Sequence, residues 1–124
     1  MKKILIVEDD PILISTLADN LIKEGFEIIK AVNGEEGLAS ALAVKPDLIL
    51  LDILMPKMDG LTVLKKLRED SWGANVPVII LTNLSSPKNI SNALEFMGGF
   101  QEYLVKSEWE MGDVVAKVHD RLKE

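Results

Sequence analysis

The chain has 124 residues, the size of one domain and enough for a single buried core. Hydrophobic residues make up 48% of it, which excludes a disordered segment. A formal net charge of −6 with no long basic run argues against nucleic-acid binding by this chain alone, and the lack of cysteine excludes a disulfide framework or a thiolate site.

"MKKILIVEDD" starts basic, but its apolar run is too short for a signal-peptide core and acids follow at once. No segment approaches the length of a membrane span. The expectation is a soluble cytoplasmic domain. Ile4 to Val7 read as a strand buried on both faces. Asp10 reads as a helix N-cap rather than a metal ligand, with Pro11 in the first turn. Ile14, Leu17, Ala18 and Leu21 recur at helical spacing, and Gly25 ends that helix.

Phe26 to Val32 read as a second strand. Asn33 is a candidate N-cap, with Glu36 as its box partner, for a short Ala-rich helix that Pro46 breaks. Asp47 to Asp52 ("DLILLD") read as a third strand. Leu61, Leu64 and Leu67 mark a third helix, which Asp59 would cap, and "DSWGANVP" turns the chain. Val78 to Thr82 ("VIILT") read as a fourth strand. Ser86 and Pro87 would open a fourth helix with Ile90, Ala93, Leu94 and Met97 on its apolar stripe. Gln101 to Lys106 read as a fifth strand. Ser107 and Glu110 in "SEWE" read as a capping box for a last helix, on which Met111, Val114, Val115, Val118 and Leu122 share one face. His119 falls at the edge of that stripe and reads as a surface residue, and Trp72 falls in a turn.

Strand and helix thus alternate five times. With strands this apolar, the pattern predicts an α/β domain with a parallel sheet between helices. One domain over 1–124 is expected, with no linker or repeat.

In such a sheet, ligands bind beyond the carboxyl ends of the strands. Strand one ends in Glu8 and Asp9, strand three in Asp52, strand four in Thr82 and strand five in Lys106. Three carboxylates brought to one point repel unless a cation sits among them. Mg²⁺ suits them, since it prefers oxygen ligands and commonly takes carboxylates together with a phosphate oxygen. Lysine and threonine add a positive charge and a neutral donor, as phosphoryl transfer requires. A carboxylate can itself be the nucleophile, forming an aspartyl phosphate.

The ordered set "VEDD", "LLDILMPKMDG", "ILTN" and "YLVK" resembles the receiver domain of two-component response regulators, over essentially the whole chain. The resemblance implies a flavodoxin-like, doubly wound (βα)5 fold with strand order 2-1-3-4-5. It implies Asp52 as the phosphoacceptor. It implies Mg²⁺ held by Glu8, Asp9 and Asp52 with the backbone carbonyl of Leu54. Thr82 corresponds to the switch hydroxyl, Lys106 to the lysine that pairs with the phosphoryl group, and Tyr103 to the aromatic that follows Thr82. The implied donor is a phosphohistidine on a sensor histidine kinase or a phosphotransfer protein. The implied output is a changed partner surface around the fourth helix, fifth strand and fifth helix, directed at an unidentified protein target. The implied catalysis is of its own phosphorylation and dephosphorylation, not of turnover of a metabolite.

The sequence departs from the family pattern in two places. Ser107 follows the lysine where proline is usual, and Phe100 stands where a small residue is usual. Leu54 and Leu84, two residues past Asp52 and Thr82, are apolar and would shield an acyl phosphate from water. Two other classes compete. A receiver-like interaction module that takes no phosphate would have no need for the full acidic, threonine and lysine set. A Mg²⁺-dependent phosphatase would need a second Asp two residues after its nucleophile, where this chain has Leu54.

Overall fold

The computed structural model describes residues 1–52, 58, 60–82, 101–105 and 110–122, without the side chains of 61, 82 and 101–105. Five strands form one parallel sheet: β1 (Lys3–Val7), β2 (Glu27–Ala31), β3 (Leu48–Asp52), β4 (Val78–Thr82) and β5 (Gln101–Val105). Their order is β2-β1-β3-β4-β5, the expected one. Four helices are described: α1 (Pro11–Lys23), α2 (Gly34–Val44), α3 (Gly60–Glu69) and a C-terminal helix (Met111–Leu122). None of these is long and apolar enough to cross a membrane.

The runs Ile4–Val7, Leu48–Leu51 and Val78–Leu81 are unbroken apolar stretches because each face of the sheet has its own core. Side chains alternate between faces along a strand. Ile4, Ile6, Leu48, Leu50, Ile79 and Leu81 pack with Ile14, Leu17 and Leu21 of α1 and with Val114 and Val118 of the C-terminal helix. Leu5, Val7, Ile49, Leu51, Val78 and Ile80 pack with Ala41 of α2 and with Val63, Leu64 and Leu67 of α3. Burying one such aliphatic side chain contributes about 1.5–3 kcal/mol, so truncations in β1 or β3 strike the centre of both layers. Ile4 to Val7 pair on one side with Ile28 to Ala31 and on the other with Leu48 to Leu51. The charge-free run near the start of the chain is an interior strand, paired on both sides.

Element ends are set locally. Asp10 caps α1, accepting from the N–H groups of Ile12 (3.0 Å) and Leu13 (3.3 Å). At the other end Gly25 adopts φ +95°. Its N–H donates to the Ile22 carbonyl at 3.0 Å, and the Phe26 N–H reaches back to the Leu21 carbonyl at 3.2 Å. This is a Schellman ending, and Phe26 joins Leu21 in the same core cluster, as that motif favours. Phe26 therefore belongs to the helix ending, and β2 starts one residue later than its apolar pattern suggests. Val32 lies past the last paired residue, Ala31, and is 49% exposed.

Asn33 caps α2 through a 2.9 Å bond from the Glu36 N–H. The return bond runs from the Asn33 side-chain amide to the Glu36 carboxylate at 2.8 Å, not from the backbone N–H of a standard capping box. Helix α2 stops with Lys45 in the left-handed region, at φ 53°, immediately before Pro46, which disfavours helical backbone at the residue preceding it.

The capping box at the last helix is corrected. Glu110 precedes the helix instead of occupying its third position. Asp113 takes that place, its carboxylate accepting the Glu110 N–H at 2.8 Å. A carboxylate anywhere in the first turn satisfies the orphan N–H groups, so "EMGD" competes with "SEWE" on equal chemical terms. Trp72, unassigned from sequence, is half-buried against the core of the α2–α3 face. Asp70 accepts the N–H groups of Trp72 (2.9 Å) and Gly73 (3.1 Å), while Arg68 donates to the carbonyls of Gly73 (2.6 Å) and Val76 (3.0 Å). Burial lowers the Arg68 pKa below the ordinary guanidinium value.

Candidate functional site

Strands β1 and β3 are neighbours in register, with Val7 opposite Leu51. The residues that follow or end them therefore emerge together at the carboxyl edge. Glu8, Asp9 and Asp52 each present a carboxylate oxygen there, and these oxygens lie within 4.8 Å of one another. Glu8 is 1% exposed and Asp52 2%, the only polar side chains among the described residues that are this deeply buried, whereas Asp9 is exposed.

At such a separation two ionised carboxylates repel by roughly 3 kcal/mol with an effective dielectric of about 20. A fold that accepts this cost at one place has carboxylates spaced to share a cation. The donor set fits Mg²⁺: hard anionic oxygens, two held by buried backbone and one open to solvent, leaving room for waters and a further oxygen ligand.

Backbone contacts hold the site. The Glu8 N–H donates to the Ala31 carbonyl at 3.0 Å, extending the β1–β2 ladder past its last residue. The Asp10 N–H donates to Glu8 Oε2 at 3.0 Å. Asp10 thus does two jobs. It caps α1, as its place before Pro11 suggests, and it fixes the Glu8 carboxylate, which the sequence reading missed. The signal was present in the spacing, since a carboxylate readily accepts the N–H two residues on.

The structure brings Glu8, Asp9 and Asp52 together. Thr82 ends β4, the strand beside β3, with its backbone opposite Val105; its side chain is not described. Tyr103 lies in the middle of β5, opposite Ile80, again as backbone only. Leu54, Asp59, Leu84, Ser86, Pro87, Phe100, Lys106, Ser107 and Trp109 lie outside the described residues. His119 is remote from this edge. Its Nε2 lies 2.7 Å from Glu24 Oε1 at the end of α1, and its ring sits 5.2 Å from that of Phe26. It ties the C-terminal helix to α1, as a stripe-edge residue can.

Residues 4–119 match the family model described as the response regulator receiver domain. Among curated relatives, the chain is 37% identical over 124 residues to the DNA-binding dual master transcriptional regulator RpaA of Synechocystis, covering 99% of this chain and 50% of that protein. It is 37% identical over 105 residues to the alkaline phosphatase synthesis transcriptional regulatory protein PhoP of Bacillus subtilis, covering 85% of this chain and 42% of that one. The chain spans about half the length of the curated relatives it matches.

Among solved structures, the receiver domain of Francisella response regulator 1452 superposes with a TM-score of 0.88 at 28% identity, covering 99% of this chain and 98% of that one. The BeF3-activated N-terminal receiver domain of Klebsiella pneumoniae RstA does so with a TM-score of 0.85 at 32% identity, covering 98% and 99%.

Proposed function

This chain belongs to the response regulator receiver domain family, and from that premise we propose that it is a phosphorylation-driven switch with Asp52 as its phosphoacceptor. The observation that carries this reading is the convergence of Glu8, Asp9 and Asp52 within 4.8 Å at the carboxyl edge of β1 and β3. Residues 1–124 act as one receiver domain, working in the cytoplasm.

In the proposed reaction an Asp52 carboxylate oxygen attacks the phosphorus of a phosphohistidine on a sensor kinase or phosphotransfer protein. A P–O bond forms, the P–N bond breaks, and the imidazole leaves with the electron pair and takes up a proton. Water later attacks the phosphorus of the acyl phosphate, the P–O bond to Asp52 breaks, and inorganic phosphate leaves as the Asp52 carboxylate is restored. Glu8, Asp9 and Asp52 would hold Mg²⁺, with the Leu54 carbonyl as a further ligand, and the bound ion would neutralise charge on the phosphoryl oxygens. Glu8 and Asp52 are held by strand ends, so the site is built before the phosphoryl group arrives.

By resemblance, Lys106 pairs with the phosphoryl group and the Thr82 hydroxyl donates to it. Tyr103 follows Thr82, and the altered surface around β5 and the C-terminal helix selects a downstream protein. The net charge of −6 supports a protein partner over nucleic acid for this part of the chain.

The test is amide NMR with Mg²⁺ and beryllofluoride or acetyl phosphate, on wild type and Asp52→Ala. The expected result is an Asp52-dependent set of shifts spreading from the acidic cluster to β5. Identical spectra with and without the phosphoryl donor would leave an interaction module as the better reading.

A further inference from the structure

Of the three carboxylates at the cluster, Glu8 is the hardest to hold in place. It is buried, so solvent does little to settle its charge, and its side chain has one methylene and one torsion more than those of Asp9 and Asp52. The end of β1 fixes its backbone but not the course of that longer side chain. A main-chain donor reaches the carboxylate itself: the Asp10 N–H donates to Glu8 Oε2 at 3.0 Å.

The other groups of Asp10 are fastened to α1. Its carboxylate accepts the N–H groups of Ile12 and Leu13, and its carbonyl accepts the Ile14 N–H at 3.0 Å. Pro11 disfavours helical backbone at the residue before it, and Asp10 is extended, at φ −77° and ψ 112°. With carbonyl and side chain both tied to the helix, the φ angle of Asp10 sets the direction of its N–H, and that direction is toward Glu8. Resting on the receiver reading above, we infer that Asp10 is a positioning residue for the cation site, acting through its main-chain N–H on the Glu8 carboxylate, with the first turn of α1 aiming that N–H. The helix cap and the cation site are then one connected unit.

The experiment separates the N–H from the side chain. Asp10→Ala removes the carboxylate that caps α1 and keeps the N–H. Asp10→Pro removes both, and the φ of −77° already lies in the range that proline adopts. The two variants lose the same charge and the same cap, so the difference between them reads the N–H. Mg²⁺ affinity is measured by NMR titration of the full chain. Asp10→Pro should bind Mg²⁺ about ten-fold or more weakly than Asp10→Ala, the scale on which the support of a metal ligand acts. In a Glu8→Ala background the same two changes should give equal affinities, because the N–H then has no carboxylate to hold. Equal affinities with Glu8 present, or a difference that persists without it, overturn the inference while leaving the receiver reading intact. A wild type that binds no Mg²⁺ overturns both.

Should Asp10→Pro fail to fold, the wild type decides. Hydrogen exchange at the Asp10 amide should slow as Mg²⁺ saturates the site, because the cation and the N–H hold the same carboxylate. Faster or unchanged exchange would show that Glu8 takes the cation without this tie, and would overturn the inference.

Discussion

Asp47 and Asp52 stand at the two ends of one strand and meet opposite fates. Asp47, just before β3, accepts the Lys3 N–H at 2.8 Å and returns its own N–H to the Lys3 carbonyl at 2.8 Å. It bridges β1 and β3 and is satisfied by backbone. Asp52, at the far end, sits among carboxylates. The difference comes from the polarity of a parallel sheet. Strand starts expose N–H groups, and strand finishes expose carbonyls. An acid at the start finds donors, so it stabilises. The acids at the finish stand beside one another, an arrangement that a cation favours. One residue type is a staple at one edge and a reactive group at the other.

The comparison is most sharply tested at Asp52. Asp52→Asn should abolish phosphorylation by acetyl phosphate, a loss of at least about 100-fold in rate, read as the absence of a phosphoryl adduct in the intact mass. The same change should raise the thermal midpoint of the metal-free protein, because one charge leaves a repelling, buried cluster. A lower metal-free midpoint would mean that the cluster is not an electrostatic burden.

Next in size are Glu8→Gln and Asp9→Asn. A ligand binding only the folded state at 100 times its Kd adds about 2.7 kcal/mol. A ten-fold weaker site at the same Mg²⁺ concentration keeps about half of that. Denaturant titrations with and without Mg²⁺ should show this loss in both variants, and full retention in either would remove that residue from the ligand set.

At the opposite edge, Asp47→Ala should cost about 1–2 kcal/mol by leaving the Lys3 N–H without its acceptor, with Mg²⁺ affinity unchanged. A drop in Mg²⁺ affinity would show that the two ends of β3 are coupled and would blunt the contrast. The smallest effect is expected at Gly25→Ala, about 1 kcal/mol from forcing a side chain into the positive-φ turn that ends α1. A urea midpoint that does not move would show that the turn relaxes to another geometry.

Much of the fold was legible because strongly buried parallel strands leave uninterrupted apolar runs. Ile4 to Val7 and Leu48 to Leu51 could hardly lie elsewhere than mid-sheet, and Ile14, Leu17 and Leu21 repeat at the spacing of a helix with one buried face. Boundaries were less legible. Phe26 is as apolar as a strand residue, but its N–H completes the helix ending, and hydropathy carries no information on that. At the last helix two acids could serve the first turn, and the local sequence did not choose between them.

By itself the sequence determined which groups exist and on which strand each is carried: Glu8 and Asp9 after β1, Asp52 at the end of β3, Thr82 at the end of β4. Their sequence separation says nothing about distance. The register of β1 on β3 decided that, by bringing three carboxylates within 4.8 Å. Only the tertiary structure showed Asp10 fixing Glu8, and Gly34 and Gly37 leaving room for Met58 and Val7 against α2. The reason is physical. Chemistry belongs to side chains and can be read one residue at a time, whereas repulsion, fit and the space left by a missing methyl group are properties of pairs that only packing brings together.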